Sequence, residues 1–414
     1  MTLVKCCEDL EGGLAEGCGF VRMPSTENQS PSSSSFSSFG RSLFGMRQDQ
    51  VHSVEASHES DSCNLELGSF QKRVTDRFNE LSGAGDDELL SIDWMQKLLT
   101  AFICCHDEFR AILLNNKDQL SKPPMDRMTS EFIERSVKAL DICNAGRDGI
   151  ETIRMWQKQL EIVSCALGSN KRPLTEGQFR RARKALMDLA LAMIDEKESG
   201  SVFSQRHRSF GRHNSSKDSH STRHSRSHSW SVSRSWSAAK QLQSIANNLV
   251  PPRANEIAAN KGLSVSVYTM NCILLFVLWT LVAAIPCQDR GLNIHFPIPK
   301  QFTWSTAVAS LYDRILDESK KKEHRNSSGL LKEIYQIETA TRHLTDLVDS
   351  AQFPLTEEHV MEVEQDLKEL KLASEAFRVG LDPLERHVRE VFRKIVDSRT
   401  EGLDSLGTSS YTGQ

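Results

Sequence analysis

The residue types that carry chemistry are scattered through this sequence. Its ten cysteines are Cys6, Cys7, Cys18, Cys63, Cys104, Cys105, Cys143, Cys165, Cys272 and Cys287, with no Cys-x-x-Cys pair. That spacing gives no disulfide framework and points to reduced thiols. Cys104-Cys105-His106 holds the right donors for zinc. Neighbours on a helix project about 100° apart, and no second ligand pair accompanies them, so buried thiols are the expectation. His343, His359 and His387 stand among charged residues, as expected for exposed helix faces rather than acid–base catalysts. The sequence carries no phosphate-binding glycine loop, clustered metal ligands or nucleophile motif, so neither an enzyme nor a cofactor is expected.

The averages exclude two classes of protein. The chain has 414 residues, with 51 Lys+Arg against 55 Asp+Glu and a net charge of −4. That is no uniformly basic nucleic-acid binder, and a mean hydropathy of −0.42 is no multi-spanning membrane protein. The length suggests two or three domains. The N-terminus has no apolar core of a secretory signal and no Gly after Met1 for myristoylation.

Two local biases hide inside those averages. Residues 201–240 hold eight Lys/Arg, one Asp, five His and fourteen Ser. Arg206, Arg208, Ser209, Arg212, Arg223, Arg226, Ser227, Arg234 and Ser235 carry its Arg-Ser character. Such a composition buries too little apolar surface to order itself, so a disordered linker is expected over 201–250. Three readings stay open for it. One is attraction to anionic lipid, cancelled when serines are phosphorylated. Another is nucleic-acid binding, which no folded RNA-binding signature supports. The third is a solvated linker without a partner.

The second bias is the run Gly262–Gln288, 27 residues without a charge. Val265, Ile273, Leu274, Leu275, Phe276, Val277, Leu278, Trp279, Leu281, Val282 and Ile285 form its dense part. As a helix, 265–285 is about 32 Å long, which matches a hydrocarbon core of about 30 Å. If it spans, the positive flank places residues 1–260 in the cytosol. Two alternatives compete: a central helix buried all round and an in-plane insertion.

The elements around these tracts read as helical throughout. Phe70, Val74, Phe78 and Leu81 recur at helical spacing, as do Ile153, Trp156, Leu160, Val163 and Leu167. Gly146 and Gly149 are expected to separate two helices, and Pro383 to interrupt another. Thr175 with Gln178 forms a capping-box signature. Leu330, Ile334, Ile337, Leu344 and Val348 make one later stripe; Val360, Val363, Leu367, Leu370 and Phe377 make another. The expectation is an all-α protein: helical bundles in two halves, joined by the basic linker and the hydrophobic helix. Its parts are a mostly disordered 1–68, a helical 69–200, the linker 201–250, the hydrophobic helix 262–288, C-terminal helices 301–400 and a tail 401–414.

Several separated blocks carry a family resemblance. Ser38-Phe39-Gly40-Arg41-Ser42-Leu43-Phe44 running into Arg47-Gln48-Asp49-Gln50-Val51 resembles the opening of the plant ROH-type, BYPASS-related proteins. Lys138–Asn144, Ile153–Gln157 and Val282–Cys287 add matches in the same order. The resemblance implies a helical, non-enzymatic adaptor that associates with an exocyst subunit and serves polarised secretion and cell-wall delivery. It implies, as an alternative, a developmental regulator restraining a root-derived mobile signal. A nuclear RNA-processing role would rest on the Arg-Ser tract alone. No binding residue is carried over.

Overall fold

The boundaries of the helices follow local caps. In a computed structural model of the chain, the Ser91 hydroxyl accepts from Trp94 N at 3.1 Å and opens one helix. Ser237 does the same for Lys240 N at 3.2 Å. Thr175 N donates to Gln178 Oε1 at 2.9 Å, so the Gln of the capping box does reach back. The structure describes residues 54–168, 174–198, 237–247, 249–287, 289–295, 298–321, 324 and 327–407. Among these are eleven α-helices and no strand. They are α1 (Val54–Ser82), α2 (Ile92–Asn115), α3 (Lys117–Leu120), α4 (Met125–Leu167), α5 (Glu176–Glu198) and α6 (Ala238–Ala246). Then come α7 (Ala254–Ala259), α8 (Leu263–Ala284), α9 (Ser305–Lys320), α10 (Lys332–Ser350) and α11 (Glu357–Gly407). The chain divides into Met1–Cys63, described only in the first turns of α1, and the unit Asn64–Gln414.

Within that larger unit, helices of both expected halves pack on one another. The long α11 lies along α4 and α2, and α10 lies on α5. Arg110 Nε donates to Glu401 Oε2 at 2.8 Å, and Lys394 Nζ meets Asp107 Oδ1 at 2.6 Å. Glu333 Oε1 accepts from Ile92 N at 3.1 Å, so a buried carboxylate of α10 caps the positive end of α2. The partly exposed ion pairs add about 0.2–1 kcal/mol each. Most of the cohesion comes from the apolar faces the stripes supply. Phe70, Phe78, Leu160, Leu189, Ile337 and Phe377 are all fully buried.

Two expected helix breaks are absent. α4 runs without interruption through Gly146 and Gly149. The glycines serve close packing instead: a Cβ on Gly149 would stand 2.4 Å from the carbonyl oxygen of Pro286, and one on Gly146 3.0 Å from a Leu281 methyl. They let α4 approach the end of α8. α11 likewise continues through Pro383. The ring removes one N–H from the ladder. The Pro383 carbonyl keeps a partner in His387 Nδ1 at 2.8 Å. Packing on α2 and α4 holds the helix together across this point.

α8 is the centre of the unit. By length and composition it could cross a membrane, yet its apolar window is buried entirely within the protein. Phe276 meets Phe78 edge-on at 6.1 Å, and Trp279 lies 4.7 Å from the Tyr312 ring. Several of its polar groups are also met, though the Ser264 and Ser266 hydroxyls and Asn271 Oδ1 have no hydrogen-bond partner among the described residues. Thr269 Oγ1 bonds the Gln71 amide at 3.1 Å and accepts from Trp304 Nε1 at 3.2 Å. Trp279 Nε1 donates to the Gly291 carbonyl at 3.3 Å. The last carbonyls of α8, on Ala283 and Ala284, accept from Leu330 N and Leu331 N, both at 3.0 Å.

Candidate interaction surface

The residues marked in the hydrophobic run form no surface. Ile273, Leu274, Leu275, Phe276, Val277, Leu278, Trp279, Leu281, Val282 and Ile285 are buried; only Val265, in the first turn, is half-buried. The marked residues of the basic tract, Arg206 through Ser235, lie outside the described residues.

The thiol–imidazole pair is also internal. Burial pushes the Cys105 thiol up to about 11, against the pull of Arg77, whose Nη1 reaches Sγ at 3.5 Å. Burial pulls His106 down to about 4, so it is neutral at pH 7, with Nε2 3.2 Å from Ser398 Oγ. Among the described residues no group of three or more His, Cys, Asp or Glu could hold a metal. Two of the three later histidines differ from expectation. His387 joins α11 to Thr100 at 3.1 Å, and His359 meets the Leu347 carbonyl at 3.0 Å; both are half-buried. Only His343 keeps an exposed side chain.

His343 leads to the feature that pattern reading missed. α10 and α11 form a hairpin whose turn is fixed to α5. Phe353 meets Phe179 edge-on at 5.3 Å, and Arg183 Nε donates to Asp349 Oδ1 at 2.6 Å. Between the two helices of this hairpin lies an open groove of about 520 Å³, lined by His343, Asp346, Leu347, Met361, Glu362, Gln365 and Asp366. Met361 offers a flexible apolar floor, 64% exposed. Carboxylates stand on both walls. His343 Nδ1 is 4.0 Å from Asp366 Oδ1. Burial raises the Asp366 carboxyl, His343 opposes this, and Glu369 and Glu362 add repulsion.

The charge around the groove is uneven along α11. Toward the C-terminus, Glu385, Glu390 and Glu401 each pair with arginine. Near the groove, no salt bridge among the described residues neutralises Asp346, Glu357, Glu358, Glu362 or Glu364. Glu338 to Glu375 holds ten Asp/Glu against three Lys/Arg. That excess was visible in the sequence. The groove was not, because it depends on the angle between two helices. An apolar floor between acidic walls suits a basic, apolar-bearing polypeptide segment.

Comparison with known proteins identifies the lineage. The model of the family described as "Protein ROH1-like" matches residues 31–406. The chain belongs to the ROH1-like family. Protein ROH1D of Arabidopsis thaliana is 54% identical over 93% of this chain and 98% of its own length. Protein ROH1A of the same plant is 36% identical over 85% of this chain and 92% of its own. UPF0496 protein 4 of Oryza sativa subsp. japonica is 22% identical over 71% of this chain and 57% of its own length. No solved structure matches.

Proposed function

We propose that this chain is a non-enzymatic adaptor in plant polarised secretion. It binds an exocyst subunit and supports delivery of cell-wall material. Membership of the ROH1-like family supports the plant setting, and the groove between α10 and α11 supplies a surface suited to a protein segment. The developmental and nuclear alternatives have no feature of the fold in their favour.

We also propose that the protein works at a membrane's cytosolic face without crossing it. The observation that carries this reading is the burial of α8, whose apolar window lies wholly inside the protein and whose Thr269 and Trp279 find hydrogen-bond partners there. Association then falls to the basic tract, at about 1 kcal/mol per Lys/Arg near an anionic surface.

The test is fractionation of full-length protein, followed by co-precipitation with each exocyst subunit in turn. A peripheral adaptor is released from membranes by salt or alkaline carbonate and retains one subunit. Release by detergent alone would restore the single-pass reading with residues 1–260 in the cytosol. Failure to retain any subunit would remove the adaptor reading.

A further inference from the structure

The groove and the basic tract answer each other in charge. We propose that the groove between α10 and α11 is the docking site for the chain's own Ser/Arg/His segment, residues 199–236, and that docking holds this segment off the membrane. The inference rests on the reading above that the tract is the membrane-directed element.

Three observations carry it. The first is complementarity. Residues 199–236 hold seven Lys/Arg and one Asp, against ten acids and three bases from Glu338 to Glu375. Asp346 and Glu362 at the groove have no salt bridge among the described residues and Asp366 has only His343, whereas the carboxylates further along α11 pair with arginine. Anionic walls left open in a protein with arginine to spare elsewhere define a surface waiting for positive charge.

The second is the groove's apolar floor. Leu347 and Met361 would do little for a free cation but can accept an aromatic or aliphatic anchor. The segment brings four aromatic anchors, Phe203, Phe210, Trp230 and Trp236, among its arginines. An arginine-rich segment with aromatic residues fits both walls and floor.

The third is reach. The segment leaves α5 after Glu198 and returns at Ser237, the cap of α6. α5 lies on α10: Arg183 pairs with Asp349, and Met193 O accepts from Ser328 at 3.4 Å. The groove is thus about ten to thirteen residues back along the α5 direction, or about 20 Å from where the segment starts. The 38 residues from 199 to 236 extend to at most about 130 Å. That is several times the distance along α5 from the start of the segment to the groove.

Docking of this kind is intramolecular, so weak individual contacts suffice at a high effective concentration. It also has a built-in opponent, because anionic lipid competes for the same arginines. Negative charge placed on the segment opposes both partners, but it acts on docking with no membrane present.

Limited trypsin digestion of the full-length protein reads docking without any partner or membrane. Cleavage after Arg206, Arg212 and Arg223, whose flanking residues are the same in every protein, is mapped by mass spectrometry and compared in the wild type, a triple variant Asp346→Asn/Glu362→Gln/Asp366→Asn, and a second variant Ser209→Glu/Ser227→Glu/Ser235→Glu. The second leaves the folded unit untouched. Both are expected to be cut about fivefold faster than wild type or more, since cleavage tracks the undocked fraction. Equal rates in all three proteins would overturn the proposal, as would protection that persists in both variants.

Sedimentation with phosphatidylserine-containing vesicles then reads the membrane role separately. The triple variant is expected to sediment more completely than wild type. If it is cut faster yet sediments no better, docking stands and the membrane-directed reading of the tract falls.

Discussion

α8 and the N-terminal half of α11 are both long helices, yet they represent opposite solutions to burying a polypeptide. α8 has no charged residue, and its surroundings supply aromatic rings, small residues and hydrogen-bond partners for Thr269 and Trp279. The first turns of α11 bury only the Val363–Leu367–Leu370 stripe and expose a dense row of carboxylates. The contrast teaches that hydrophobicity of a segment does not fix its solvent. A 22-residue apolar helix belongs to a bilayer or a bundle according to what its neighbours offer. Here the neighbours offer glycine-lined approach from α4, Gln71 for Thr269 and two backbone N–H groups for its last carbonyls.

The sharpest way to break this contrast is a charge in the middle of α8. Leu275→Arg places a cation where relative exposure is 0%, on a helix with no charged residue of its own. The expected loss is at least about 4 kcal/mol, a large share of the roughly 5–15 kcal/mol that holds a domain together. Circular dichroism and size exclusion of detergent-free protein will show an unfolded or aggregated chain. A folded, soluble variant would mean that α8 is not the core post described here.

Acid should act next, through His106. Its folded value of about 4 lies below the ordinary 6.5. The unfolded chain therefore binds more protons between those values, and stability falls as pH drops from about 6.5 to about 4. The full difference corresponds to at most about 3 kcal/mol. Urea midpoints at pH 7 and pH 4.5 measure it, with Asp107, Asp397, Lys394 and Arg110 contributing smaller fields of both signs. In His106→Gln the extra acid sensitivity should shrink; an unchanged slope would assign it to other groups.

How much of this was legible in the sequence differs between the two regions. The helical class followed from apolar spacing, and stripes such as Ile153–Leu167 and Leu330–Val348 are indeed buried faces. The helix start at Thr175 was readable because caps are local, and Thr356 caps α11 in a similar way: its Oγ1 accepts from His359 N at 3.3 Å. Gly146, Gly149 and Pro383 were misread for one shared reason. Local propensity marks them as breakers, but tertiary contacts decide whether a helix continues. The placement of α8 was undecidable from its own residues, since a core helix and a span have the same composition. The groove was invisible for a related reason. His343 and Asp366 are 23 positions apart in the sequence and meet only because the hairpin folds back on itself.

The glycine reading can be tested alone. Gly149→Ala adds one methyl aimed at the Pro286 carbonyl, whose oxygen would be 2.4 Å away. An alanine in an ordinary helix interior would stabilise it by up to about 1 kcal/mol. Here the clash forces α4 and α8 apart, and a net loss of about 1–3 kcal/mol is expected. The sign decides: a higher thermal midpoint would return Gly149 to the status of a removable helix weakener.

The smallest effect sharpens the other side of the contrast. Met361 is exposed and off the buried stripe of α11, in a groove open to solvent. Met361→Ser should shift stability by no more than about 0.5 kcal/mol, as surface substitutions generally do. If Met361 is a docking floor, the same change should still raise tryptic cleavage of residues 199–236. A single residue that is silent in the unfolding curve and audible in the cleavage map is what separates an interaction surface from a core. In α8 the order is reversed, because no substitution there can change a surface without first opening the bundle.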